Sequence, residues 1–144
     1  MELYCGGIVS LEGFVFLNNV KMYFKVINQS NNTLLFSKAQ KKIRFFSKLC
    51  GLMFRKGISE ENALIFYNAE AIHTFFMRFP IDVVFLDKNM RVLRICHGLK
   101  PSRIVFCKGA FYAIECANGI TAIKEIQCGD VLVVQHRKCL TLFL

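Results

Sequence analysis

Apolar and polar residues alternate over several short segments of the chain, which is the pattern of half-buried β-strands. The segments are rich in β-branched and aromatic residues, as in "YFKVIN" and "IDVVFLD". Between two of them, "DKNM" (87–90) predicts a hairpin turn, because Asp and Asn side chains bond to nearby backbone. Strands are predicted at 23–28, 33–39, 63–68, 72–77, 81–87, 91–98, 103–107, 110–116 and 131–136.

The spacing of apolar residues becomes helical in two places. One short amphipathic helix is predicted from Arg44 to Met53, and Gly51 weakens its end. The segment 117–130 ("ANGITAIKEIQCGD") predicts a second, closed by Gly129 in a left-handed cap conformation. The predicted fold class is therefore α+β and mostly β: a small, partly closed β-barrel-like sheet with one or two short helices.

The composition fits one compact domain without membrane spans. The chain has 144 residues, 54% of them hydrophobic, which suffices for a real core. No apolar stretch approaches the roughly 18 residues of a membrane helix, and the N-terminus has no basic leader. We expect a cytoplasmic protein with no membrane partner.

Cysteine and histidine usage gives no support for a metal site or a cofactor. The seven cysteines are odd in number, form no CxxC motif and lie mostly in apolar surroundings. We expect them to be reduced and buried, Cys50 included. His73, His97 and His136 are scattered along the chain, and the nucleotide-cradle and hydrolase-elbow motifs are missing from the sequence.

Positive charge is concentrated in the first half of the chain. The net charge is +9, and no acidic residue occurs between Gly13 and Ser59. Such a segment is typical either of a solvated basic face or of a surface that attracts phosphate backbones. The residues of this candidate nucleic-acid face are Lys38, Lys41, Lys42, Arg44, Lys48 and Lys56.

The segment 72–89 ("IHTFFMRFPIDVVFLDKN") places ionic groups among large apolar ones. If 72–77 is a strand covered on both faces, Arg78 needs a partner, because an unpaired buried charge costs several kcal/mol. Asp82 would be about 13 Å away along a straight strand, but a bend at Pro80 would bring the two together. Arg55 and Arg103 are alternative partners for Asp82.

Two interpretations of these ionic groups remain open. In one, the Arg78–Asp82 pair only fixes a bend, and His73 is a core histidine. In the other, Arg55, His73, Arg78, Asp82 and Arg103 form a site for an anionic small molecule or a partner's acidic group, with arginines holding a carboxylate or phosphate. The second favours a binding module over an enzyme. The alternatives are a small enzyme using His73 and Asp82 for proton transfer, and a nucleic-acid-associated protein using the basic face at 38–56.

The chain also resembles a known family. The motifs "GLMFRK" (51–56), "IHTFFMRFPIDVVFLDKN", "LKPSR" (99–103) and the terminal "GD" (129–130) resemble those of the domain of unknown function 192 family, a set of bacterial and archaeal proteins. The resemblance covers about residues 23–134 and implies a compact β-rich domain with no established activity. The family's usual "ELPAG" is here "ECANG", which keeps Glu115 and Gly119.

The resemblance also divides the chain. Residues 1–21 are predicted to be an N-terminal extension that packs less well than the rest. Residues 22–136 form the single β-rich domain in this interpretation, and 137–144 form a C-terminal tail. We expect the protein to be bacterial.

Overall fold

The structure is a computed structural model that describes residues 22–43 and 50–136. Nine strands and one short helix lie wholly within these two ranges, and most strands coincide with the predicted segments. The elements are β1 (Phe24–Asn28), β2 (Thr33–Lys42), β3 (Asn62–Tyr67), β4 (Ala71–His73), β5 (Ile81–Leu86), β6 (Val92–Leu99), β7 (Ile104–Phe106), β8 (Tyr112–Ala117), α1 (Ile120–Ile123) and β9 (Leu132–His136).

Seven of the strands form one sheet in the order β6-β5-β8-β3-β2-β1-β9, and β4 and β7 form a separate two-stranded sheet. The β2–β3 pair is parallel, and the other ladders are antiparallel. The predicted hairpin joins β5 to β6: the Asp87 side chain accepts from the backbone N–H groups of Asn89 and Arg91. The predicted barrel closure is not confirmed, because across the described strands the sheet edges meet only through the isolated Arg91–Val131 bridge.

The central strand β5 is buried on both faces. Alternation along a strand sends successive side chains to opposite faces. Val84 and Leu86 enter a core built with β1, β2, α1 and β9. Ile81, Val83 and Phe85 enter a second core, which is covered by the turn at Leu52, the small sheet and the loop that follows it.

The small sheet ends earlier than the sequence pattern predicts. Strand β4 stops at His73, and Phe75 and Phe76 form a turn. Phe76 has a φ of 59°, the left-handed conformation that bulky residues rarely adopt. The predicted strand 72–77 is therefore wrong beyond His73, because a tight turn interrupts it.

The two predicted helices have different outcomes. Most of the predicted helix Arg44–Met53 lies outside the described residues, Cys50 is helical, and a turn begins at Gly51, where the helix was expected to weaken. In the segment 117–130 only Ile120–Ile123 are helical. Gly129 has a φ of 94° but lies in the later turn before Asp130, whereas the left-handed residue after the helix is Glu125. Gly129 is therefore not the helix cap.

Other predictions concern the termini, the membrane and the cysteines. The predicted extension 1–21 and tail 137–144 lie outside the described residues. No helix in the described ranges is long and apolar enough to cross a membrane. The five cysteines in those ranges are free. Cys116 is buried as expected, whereas Cys96 and Cys107 are half-buried. Cys50 and Cys128 are exposed, so the prediction of buried cysteines, Cys50 as a core residue included, is wrong for them.

Candidate ligand-binding cavity

A cavity of about 180 Å³ lies between the second face of the large sheet and its cover. One wall is the turn at Gly51–Met53, and another is the small sheet with the loop after it. The lining is mostly apolar, and three ionisable side chains, Tyr67, His73 and Glu115, take part in it.

Glu115 is the most unusual group in the cavity wall. It lies on β8 directly between Leu64 of β3 and Val83 of β5, so its neighbours across both ladders are apolar. Only 4% of the residue is exposed, and its Oε2 atom has no hydrogen-bond partner in residues 22–43 and 50–136. Such a group costs about 1–3 kcal/mol when nothing satisfies it.

The protonation of Glu115 follows from this environment. Burial raises the pKa of Glu115 to about 8, and the positive charges of Arg55 and Lys42 oppose that rise without cancelling it. The carboxyl group is therefore mainly neutral at pH 7. In that form it can donate a hydrogen bond as well as accept one.

His73 occupies the edge of the cavity at the end of β4. Its Nδ1 accepts a hydrogen bond from the backbone N–H of Phe75 at 3.3 Å. In the neutral ring the proton is thus on Nε2. The imidazole also stacks on the Phe75 ring, with 5.5 Å between centroids.

The predicted arginines are all exposed and lie on three loops. Arg55 and Arg78 closely follow Met53 and Met77, which line the cavity. Arg55 follows the turn that forms one wall and acts electrostatically on Glu115. The Arg103 guanidinium donates to the carbonyl of Ser102 within its own loop. Arg78 is exposed, so it does not need the buried counter-ion that the sequence pattern predicted.

Asp82 does not join this group, because its side chain points to the opposite face of the large sheet. It is fully buried and accepts hydrogen bonds from the backbone N–H of Gly98 at 2.9 Å, and from Thr121. Burial alone would raise the pKa of Asp82, but the bonds from Thr121, Gly98 and Gly119 outweigh it and lower the pKa. The predicted Arg78–Asp82 ion pair is not formed in the described structure. The His73–Asp82 pair required for the enzyme alternative is separated by the sheet.

Thr74 connects the loop that carries Arg78 with the loop that carries Arg103. Its buried hydroxyl donates to the carbonyl of Lys100 at 2.7 Å and accepts from the N–H of Arg103 at 3.0 Å. Its backbone exchanges further bonds with Ser102 and Arg103. Each loop therefore satisfies polar groups of the other, so the motifs "HTFFMRFP" and "LKPSR" form one hydrogen-bonded unit.

The predicted basic face is divided by the sheet. Lys38 forms an ion pair with Glu61 at 3.0 Å. Lys41, three residues further along β2, points to the other face and lies 4.2 Å from the Phe24 ring centroid. Lys42 acts on Glu115, Lys56 is exposed, and Arg44 and Lys48 lie outside the described residues. A continuous stripe from Lys38 is therefore not formed, and nucleic-acid binding by this face stays a prediction.

The sequence analysis missed Glu115 as a site residue although a signal was present. It is the one acidic residue in the apolar strand "YAIECA". A charge at that place requires a ligand, a partner or protonation. No group of three or more His, Cys, Asp or Glu in the described ranges is placed to hold a metal ion.

Comparisons with known proteins agree with the resemblance seen in the motifs. A family model described as "Uncharacterized ACR, COG1430" matches residues 26–134. The chain is 36% identical over 113 residues to the UPF0127 protein of Pyrococcus horikoshii, a match that covers 73% of this chain and 94% of that protein. It is 34% identical over 113 residues to the UPF0127 protein of Pyrococcus abyssi, covering 73% and 92%. These relatives are archaeal, so they give no support to the expected bacterial origin.

The fold also occurs in a crystal structure of a protein of unknown function from Novosphingobium aromaticivorans. The TM-score is 0.68 at 20% sequence identity. The match covers 89% of this chain and 99% of that one. At this identity the likeness shows the fold alone.

Proposed function

The chain belongs to the uncharacterised domain of unknown function 192 family, and from this premise we propose that it is a ligand-binding module whose cavity takes a small amphipathic anion. The proposal keeps two residues of the sequence-derived site, His73 and Arg55. It replaces Asp82 by Glu115 as the carboxyl group of the site.

One observation carries the proposal: a carboxyl group that is almost fully buried lines the cavity with an unpartnered oxygen. Buried polar groups in proteins are nearly always hydrogen-bonded. A ligand atom in the cavity would give Glu115 the partner that none of the described residues provides.

The size and lining of the cavity limit the ligand. Drug-sized ligands occupy about 300–1,000 Å³, whereas this cavity has about 180 Å³. An apolar cavity of about 150 Å³ is enough for benzene. The walls at Leu52, Phe66, Ile72 and Met77 favour an apolar body of about that size.

The charges around the cavity favour a negative head group. The Glu115 carboxyl group is mainly neutral at pH 7, and the charges that act on it, Arg55 and Lys42, are positive. A carboxylate on the ligand could accept a hydrogen bond from the protonated Glu115 and lie in the field of Arg55. A ligand amine would be attracted by an ionised Glu115, but Arg55 and Lys42 would repel it.

The test uses benzoate as the probe, with benzylamine and benzyl alcohol as probes of other charge. Binding to the full chain is followed by chemical-shift changes in amide NMR spectra between pH 6 and 9.5. We expect benzoate to bind more tightly than the other two at pH 7. Its affinity should fall as the pH passes about 8, where Glu115 ionises.

Two substitutions at the same position separate hydrogen bonding from charge. Glu115→Gln keeps a donor that cannot ionise, so benzoate should bind with little pH dependence. Glu115→Met removes the donor and should weaken binding about tenfold. The control is Glu60→Gln, because Glu60 is exposed and does not line the cavity. Tighter binding of benzylamine than benzoate at pH 7 would contradict the anionic ligand, and shifts outside the cavity walls would contradict the site.

A further inference from the structure

The outer surface beside the cavity carries large apolar side chains that nothing in the described structure covers. Phe54, Phe76 and Phe106 are 63%, 64% and 66% exposed. Ile104 and Phe75 are also exposed. These five residues are called the aromatic strip below.

The members of the strip are connected through ring contacts and strand register. The rings of Phe54 and Phe76 stack with 5.6 Å between centroids, and the backbone N–H of Phe54 donates to the carbonyl of Phe76 at 3.1 Å. Phe75 stacks on His73, which lies opposite Ile104 in the β4–β7 ladder. Alternation places Phe106 on the same face of β7 as Ile104. The strip therefore follows the outer face of the small sheet from the Phe54 turn to Phe106.

The backbone under the strip is held in an unfavourable conformation. Phe54 and Phe76 both have a φ of 59°, in the left-handed region. Such a conformation costs about 1–3 kcal/mol for a residue other than glycine. For two rings that remain exposed, burial on the protein itself does not offset this cost.

The segments that carry the strip are strongly basic. Residues 50–58, 74–80 and 100–108 contain no Asp or Glu. Their basic residues lie within a few positions of the exposed rings, as in "FRK" at 54–56 and "RIVFCK" at 103–108. They are Arg55, Lys56, Arg78, Lys100, Arg103 and Lys108, and each is exposed.

We propose that the aromatic strip binds single-stranded nucleic acid, with bases stacked on the Phe rings and phosphates bound by the six cations. Flat exposed rings interleaved with Lys and Arg are the arrangement that binds single strands without sequence readout. An anionic membrane fits less well, because basic residues stand next to the exposed rings in the sequence, as at 54–56, and would enter the apolar layer with them. Phe54, Arg55 and Lys56 belong to the end of the basic segment 38–56. None of the five residues of the strip lines the cavity, so the proposal does not depend on the ligand.

The test measures fluorescence anisotropy of labelled oligo-dT and oligo-U of about ten nucleotides with the full chain. The double variant Phe54→Ser/Phe76→Ser should bind at least about tenfold more weakly, because base stacking contributes about 1–3 kcal/mol per base. The control is Ile123→Ser, since Ile123 is an exposed apolar residue on α1, away from the strip. Circular dichroism checks that both variants keep the fold.

Charge variants test the phosphate contacts separately. Arg55→Gln and Arg103→Gln should each reduce the slope of log affinity against log salt concentration by about one. Lys25→Gln, on the exposed side of β1, should leave it unchanged. Glu115→Gln should leave oligonucleotide binding unchanged, which separates this proposal from the cavity.

Three results would overturn the proposal. One is no binding by the unaltered chain at low salt. Another is equal affinity for duplex and single strands, since base faces are inaccessible in a duplex. The third is binding to phosphatidylserine vesicles, but not to oligonucleotides, that the double Phe variant loses.

Discussion

Thr121 donates two hydrogen bonds to one carboxylate oxygen of Asp82, from its hydroxyl at 2.6 Å and its backbone N–H at 3.1 Å. The N-cap residue of α1 is Gly119, which has no side chain to cap the helix. Asp82 satisfies the first turn instead, from the neighbouring strand β5. The Thr121 hydroxyl also lies 2.9 Å from Nδ1 of His97. Since its own proton is directed to Asp82, the imidazole must donate in that contact.

Asp82→Asn should destabilise the protein by about 3 kcal/mol. An amide nitrogen in place of an oxygen would face N–H or O–H donors, which leaves buried donors unpaired. Urea unfolding at pH 7 measures the change, with Glu60→Gln as an exposed control expected to remain within about 0.5 kcal/mol. Equal unfolding midpoints for Asp82→Asn and the unaltered chain would show that the carboxylate is not needed to hold α1.

The difference in unfolding free energy between the unaltered chain and Asp82→Asn should depend on pH. Hydrogen bonds hold the pKa of Asp82 below its ordinary value of 3.8. The stabilisation is thus present above about pH 3.8 and is lost as the pH falls through the lowered pKa. The gap between the unaltered chain and Asp82→Asn should narrow only in that acidic range. A gap that instead changes between pH 5 and 8 would contradict the assignment.

Glu115→Gln should have the opposite pH signature. The folded pKa of about 8 exceeds the ordinary glutamate pKa of 4.5, so the folded state retains a proton that the unfolded state has released. Stability contributed by this proton is complete below pH 4.5 and is lost as the pH rises towards 8. Glu115→Gln removes the dependence and should stabilise the protein by roughly 3 kcal/mol at pH 7.

Urea midpoints of both proteins at pH 4.5, 7 and 8.5 check this prediction. The two curves should converge at the acidic end and separate towards the alkaline end. Parallel curves would mean that Glu115 titrates equally in the folded and unfolded states.

Thr74→Val should loosen the loops that carry the aromatic strip and the cavity edge. The substitution keeps the shape but removes the hydroxyl that bonds Lys100 and Arg103, at a cost of about 2 kcal/mol. Hydrogen exchange should become faster at the amide of Arg103. Thr33→Val on β2 is a control, because it makes the same chemical change at a half-buried position. If Thr33→Val accelerates exchange at the Arg103 amide to a comparable extent, the effect is a general loss of stability.

The strands could be predicted from the sequence because their alternation reports burial on one or both faces. The turn at Phe75–Phe76 could not, because two aromatic residues after a strand favour its continuation. Contacts with distant segments, the loop at Lys100–Arg103 and the N–H of Phe54, help to hold the turn. The predicted pairing of Arg78 with Asp82 is wrong because the contact that Asp82 makes is also distant in sequence. The actual partner of Asp82, Thr121, is 39 residues away.

The candidate site could also be predicted only in part. His73 was found because a polar residue stood among large apolar ones. Glu115 met the same criterion inside "YAIECA" but was considered only as part of a family motif. Neither the cavity nor the separation of Asp82 from His73 could be derived from spacing, because both depend on which face of the sheet the small sheet covers.

Gly98→Ala should be more destabilising than its size suggests. Gly98 has a φ of 56°, and an added Cβ would lie 3.2 Å from Oδ1 of Asn118. Its backbone N–H is also one of the donors to Asp82, so a shift of this residue would disturb the carboxylate. We expect a loss of about 1–3 kcal/mol in urea unfolding. The matched control is Gly57→Ala, where φ is not in the left-handed region and no atom lies within 4 Å of the added Cβ. If both substitutions have the same small effect, the backbone at Gly98 is not what positions the donor to Asp82.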